Sequence, residues 1–154
     1  PVIAVILMVA ITVVLAAVLY VWASSFLGGT TKNAPTGSMI ASEDGSGVWT
    51  VQIVKINPQV SVNSVHWYLL DVQGNTKTDG LVSDVYGYYS GQGKAVVFID
   101  NDFNGKLSPG DKFEVHPGEA GSDLESVNDV SDYSFRMKFE PTGDVIGYDI
   151  GLQS

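Results

Sequence analysis

Residues 1–29, PVIAVILMVAITVVLAAVLYVWASSFLGG, contain no charged side chain, and only Thr12, Tyr20, Trp22, Ser24 and Ser25 carry polar side-chain groups. A run this long exceeds the ~20 residues that cross the hydrocarbon core of a bilayer. Apolar residues fall on every side of a helical projection, leaving no amphipathic stripe for a water-soluble domain to bury. β-Branched residues are numerous, yet the run is far too long for a strand. In lipid the backbone must satisfy its own hydrogen bonds, so helix is the default. Pro1 suits a first helical position, where a missing N–H does no harm. Tyr20, Trp22 and Phe26 gather at the far end as interfacial aromatics do, and Gly28-Gly29 supplies a stop.

The remainder is chemically opposite. The first charged residue is Lys32, so all 8 basic and all 17 acidic residues of the 154-residue chain lie from 32 onward, and the net charge of −9 belongs to that stretch. An acidic chain whose few bases are scattered has no stripe with which to neutralise phosphates, and no nucleic-acid partner is expected. With no cysteine, disulfides, thiolate zinc sites, iron–sulfur clusters and cysteine nucleophiles are excluded. The length suits one ordinary domain plus an appendage.

Three fates compete for the apolar segment: a cleaved secretory signal, a permanent single-pass anchor, or a helix inserted in the membrane and later bundled with copies of itself. The opening lacks the basic n-region and short apolar core of a secretory signal. Ala4, Ala10, Ala16, Ala17 and Ala23 allow close helix approach. The order of residues from Pro1 through Val18, PVIAVILMVAITVVLAAV, resembles the N-terminal segment of archaeal type IV pilins; archaellins share the architecture but less of the wording. The resemblance implies a precursor trimmed by a prepilin peptidase, inserted in the membrane before assembly. It implies an assembly machinery and a homopolymeric, extracellular cell-surface filament whose core is made of these helices, serving adhesion. No glutamate stands near the start, unlike bacterial type IV pilins, so no charge-pair register between subunits is expected.

Residues 30–47 (TTKNAPTGSMIASEDGSG) read as a flexible linker, with Gly28-Gly29 as part of a hinge. Beyond it, apolar runs alternate with turn residues. Val48–Asn57, Val65–Gln73, Leu81–Tyr89, Lys94–Ile99, Lys112–Val115, Tyr133–Glu140 and Asp144–Ile150 are seven expected strands. The expected fold is a long N-terminal hydrophobic α-helix (1–29) plus an all-β, immunoglobulin-like antiparallel sandwich (48–154), whose length suits that class.

One segment carries chemistry. Residues 100–111, DNDFNGKLSPGD, align with an EF-hand loop: Asp100 at position 1, Asp102 at 3, Asn104 at 5 and Gly105 at the sharp turn of 6. Lys106 at 7 would contribute only its backbone carbonyl, Ser108 at 9 could ligate through water, and Asp111 closes the loop at 12. Calcium prefers several hard oxygens in loose geometry, and this spacing gathers them around one point. The flanks read as strands rather than helices, which suggests a strand–loop–strand calcium site of structural purpose. The competing reading is an Asx-rich turn whose carboxylates cap backbone N–H groups without metal.

Other candidates carry less. His66 and His116 have no neighbour in sequence that makes a ligand pair, and no G-x-S-x-G, H-E-x-x-H or P-loop occurs, so no enzyme is expected. The acidic tract from Glu114 to Asp132 reads as a solvated surface. Tyr86, Tyr88 and Tyr89 read as core or edge packing, with a sugar platform as the alternative.

Overall fold

The computed structural model describes residues 1–27 and 33–153. It divides into two units, Pro1–Asn33 and Ala34–Ser154. The first contains a single helix, α1 (Val2–Leu27), of 26 residues. At 1.5 Å per residue this is about 39 Å, longer than the ~30 Å of a bilayer's hydrocarbon core. Pro1 sits just outside it and accepts the Val5 N–H at 3.2 Å through its carbonyl, so its missing N–H costs nothing. The Thr12 hydroxyl donates to the Met8 carbonyl at 2.7 Å, which keeps this one mid-helix polar group satisfied within the helix. The expected stop and hinge at Gly28-Gly29 lie outside the described residues.

The second unit is built of strands: β1 (Thr36–Glu43), β2 (Trp49–Asn57), β3 (Val60–Ser61), β4 (Val65–Leu70), β5 (Thr76–Leu81), β6 (Val96–Ile99), β7 (Lys106–Leu107), β8 (Lys112–Val115), β9 (Ser134–Phe139), β10 (Asp144–Val145) and β11 (Ile150–Gly151). One sheet runs β1-β2-β8-β6, and the other β10-β9-β4-β5 with β11 also on β9; β3 and β7 form a small third sheet. All these strand pairs are antiparallel. The two larger sheets face each other as a sandwich. Alternation does the sorting: β2 buries Trp49, Val51 and Ile53, while β9 buries Phe135, Met137 and Phe139 and turns Ser134, Arg136 and Lys138 outward. Phe113 of β8 meets Phe98 of β6 at 4.9 Å between ring centroids and crosses to Phe135 of β9 at 4.7 Å. Trp67 of β4 stacks on Phe135 at 6.5 Å, continuing the aromatic spine through both layers.

The helix followed by mostly antiparallel sheets agrees with the fold class read from sequence. Its details correct several expectations. Thr36–Glu43, read as part of the linker, is a strand: its main chain pairs with β2 across eight positions, with a register shift between Ser38 and Met39. The expected strand at 65–73 ends at Leu70 because the Asp71 carboxylate captures the N–H groups of Gln73 and Asn75 and closes a turn. Residues 81–89 are not a strand. β5 ends at Leu81, Val82–Asp84 is a 3₁₀ turn, and Gly87 takes a left-handed φ of 78°. The run at 144–150 splits into β10 and β11 around Gly147, where a side chain would collide with the Gly37 carbonyl.

Candidate functional site

Two features are available for function, one in each unit. Along α1 the large apolar side chains from Val2 to Trp22 are all between 56% and 75% exposed. No face of the described helix is hidden and none is polar, so it has no amphipathic stripe of the kind that docks on a water-soluble core. Its small residues are not scattered: Ala10, Ala17 and Ser24 recur every seven residues, as do Ala16 and Ala23. At 3.6 residues per turn each series falls close to one line along the helix, giving two narrow seams where neighbouring backbones can approach.

The acidic loop connects β6 to β8, adjacent strands of one sheet whose pairing ends at Ile99 and Lys112. β7 lies within the loop and pairs with β3, and the Val62 N–H bonds the Gly105 carbonyl at 3.2 Å. The Ile53 N–H donates to the Asp111 carbonyl, and the Gly110 N–H to the Ile53 carbonyl, each at 2.8 Å. Gly105 has a φ of 70°, the left-handed geometry for which glycine was expected at this point. Phe103 has a φ of 56°, rare for a bulky side chain, and projects 86% exposed.

This scaffold brings Asp100, Asp102 and Asp111 together, with one oxygen of each within 4.8 Å of the others. Asp111 is fully buried. Its Oδ1 accepts the Asn101 N–H at 2.9 Å, and its Oδ2 lies 2.8 Å from both the N–H and the hydroxyl of Ser108. The Asn101 amide also donates to the Gly110 carbonyl, closing the loop's two ends. Asp100 is buried too; its Oδ2 accepts the Gly105 N–H at 2.8 Å and the Tyr86 hydroxyl at 3.1 Å. Its Oδ1 is buried with no hydrogen-bond partner. Asp102 is exposed and accepts from the Asn104 amide at 2.8 Å. Ser108 Oγ lies 3.0 Å from the same carboxylate. The side chain of Lys106 is exposed, and its N–H donates to Asn104 Oδ1 at 2.8 Å. The loop therefore clusters three of the six expected ligands directly and ties Asn104 and Ser108 to them, while Lys106 stands at the edge.

Among the described residues, no lysine, arginine or histidine forms an ion pair with these three carboxylates. Two like charges 4.8 Å apart repel by roughly 3 kcal/mol at an effective dielectric constant of ~20. The groups respond in opposite directions. Burial pushes the Asp111 carboxyl up, against the hydrogen bonds from Asn101 and Ser108. Burial also works to raise Asp100, but hydrogen bonding with Asp102, Gly105, Tyr86 and Asn104 outweighs it and holds that carboxyl below the usual range. All-oxygen donors, clustered negative charge and an unpartnered buried carboxylate oxygen are what a hard divalent cation requires. The residues fit calcium.

Tyr86 is the member that sequence spacing missed. It is half-buried, joined to Phe98 by an isolated parallel bridge, with the rings 6.2 Å apart. Its hydroxyl reaches Asp100 from outside the 100–111 segment; only the topology brings it there. Tyr88, expected on the same face as Tyr86, is exposed, as is Tyr89. His66 bridges two carboxylates, Asp79 at 2.6 Å and Glu140 at 2.9 Å.

No curated protein and no solved structure matches the chain. Residues 1–38 match the family model described as archaeal type IV pilin, N-terminal.

Proposed function

We propose that this protein is a structural subunit of an archaeal type IV pilus, an extracellular filament on the cell surface used for adhesion. The supporting observation is the combination of the family match over residues 1–38 with an uncharged helix exposed on every side. In this reading the subunit enters the membrane as a precursor, is trimmed by a prepilin peptidase and is passed by the assembly machinery into a homopolymer. The exchange is lipid contact for helix contact, so the driving force is tight packing along the alanine seams rather than removal of apolar surface from water. The acidic heads face outward and repel neighbouring filaments. Calcium bound by Asp100, Asp102 and Asp111, with Asn104, Ser108 and the Lys106 carbonyl completing the shell, pins the β6–β8 loop and has no catalytic part.

Negative-stain microscopy of the full chain tests the polymer. Helical filaments containing it are the expected result. Single particles, each with its helix alone in a detergent belt, would overturn the reading in favour of a single-pass anchored binding module.

A further inference from the structure

A cavity of about 280 Å³ opens on the head, away from the residues of the acidic loop, where β4 and β5 meet the segments 84–85, 93–96 and 121–123. Trp67 lines it. Pairing between β4 and β5 places Trp67 directly opposite Gly80, and a Cβ built on Gly80 would lie 3.4 Å from the indole Cζ2 and Nε1. Glycine here keeps a methyl group off the ring atoms around Nε1. Trp67 is only 3% exposed, and its Nε1–H has no hydrogen-bond acceptor among the described residues. Buried donors are almost always paired, so an unpaired one beside a cavity points to a partner supplied by a ligand.

The rim has the opposite character. Asp84 and Asp123 are exposed carboxylates, and Asp123 Oδ2 accepts the Thr78 hydroxyl at 2.8 Å. Lys94 adds one ammonium, held 4.9 Å above the Tyr88 ring. A ligand for this cavity must accept from the indole N–H and donate to carboxylates. An ammonium or metal cation cannot accept the indole proton, and an anion is repelled by the two carboxylates. Hydroxyl groups on adjacent carbons do both, and the C–H face of a sugar ring suits the apolar wall. We propose that this cavity binds one pyranose ring of a neutral carbohydrate, with Asp84 and Asp123 accepting from its hydroxyls and Trp67 Nε1–H donating to a ring substituent. The volume lies just below the ~300–1,000 Å³ of ordinary small-molecule sites, which fits a single ring rather than an extended chain. All of these residues belong to the 34–154 unit, so the site does not depend on polymerisation.

Saturation-transfer NMR on the full chain tests it, in a zwitterionic detergent because alkyl glycosides would compete. The probes are methyl glucopyranoside, methyl galactopyranoside and methyl mannopyranoside, with choline and methyl phosphate as controls. Transfer to ring protons of at least one glycoside is expected, and none to choline. Gly80→Ala fills the space beside the indole without a left-handed backbone to strain, and Asp84→Asn changes an exposed residue. Each variant should weaken binding at least about tenfold while melting as the parent does. The proposal is overturned if all three glycosides are silent at about ten times a millimolar Kd. It is equally overturned if both variants bind like the parent, or if choline or methyl phosphate gives the signal instead.

Discussion

Apolar side chains of the same kinds meet opposite fates in the two units. In the head, Val51, Ile53, Val96 and Phe113 are wholly buried, because alternation along short strands sends them to one face and a second sheet covers that face. In α1, Val5, Leu7, Ile11 and Leu15 are each more than half exposed, because a helix apolar all round cannot turn its back on solvent. The second unit therefore carries its own core, whereas the described helix residues contribute none to it. Stability should accordingly be separable from assembly, and each expected outcome below breaks or sharpens that separation.

The largest effect is expected from a charge in the helix. Leu15→Lys replaces a favourable mid-membrane residue by one costing about 3 kcal/mol more to insert, and in a polymer the penalty recurs in every subunit. Filaments should disappear from micrographs and from the pelleted fraction, while the head melts as before. A lysine variant that still polymerises would show that the helix core is not what holds subunits together. Phe113→Ala is the converse experiment. It removes the ring joining both sheets and should cost the head about 3–5 kcal/mol, read as a fall in its unfolding midpoint.

The same contrast explains what the sequence discloses. α1 is legible because its signal is compositional: no arrangement of neighbours is needed to see that residues 1–29 bear no charge. Strands that line the core are legible too, since β2 and β9 show their periodicity outright. What escapes is structure held mainly by main chain. TGSMIASE reads as a connector because most of its side chains are small or polar, yet its backbone completes a ladder with β2; TKTDGL in β5 hides in the same way. Conversely, LVSDVYGYY looks like a strand by β-propensity and is broken by a 3₁₀ turn and by Gly87. At the acidic loop the spacing from Asp100 to Asp111 is local and could be read directly. Tyr86 could not, because its tie to Asp100 is made by folding.

Calcium should affect the head and leave the helix indifferent. Extracellular calcium modules bind with Kd near 10⁻⁴–10⁻³ M, and a ligand present at about 100 times its Kd stabilises by about 2.7 kcal/mol. At about 10 mM calcium the head of the full chain should melt of the order of 10 °C higher than in chelator. Asp111→Asn sharpens the point. Its amide must set an NH2 against the N–H of Asn101 or of Ser108, so the chelated protein should melt below the parent, and the calcium increment should vanish. An unchanged parent midpoint in millimolar calcium, or an increment that survives the substitution, leaves a metal-free Asx turn as the correct description.

The smallest effect concerns the outer face of the head. Arg136 of β9 holds Asp149 through two bonds, Nε to Oδ1 at 2.8 Å and Nη2 to Oδ2 at 2.6 Å. The paired geometry is favourable, and Asp149 in turn holds the guanidinium above its usual range. Both side chains are nevertheless more than a third exposed, where water and salt compete. Arg136→Ala should therefore cost no more than about 1 kcal/mol, and the loss should shrink as salt is raised. The pair spans the segment between β9 and β11, so a larger, salt-independent loss would mean that it fixes the path of residues 140–149 rather than adding charge attraction. In that case the head's edge strands, like α1, depend on contacts that apolar periodicity does not reveal.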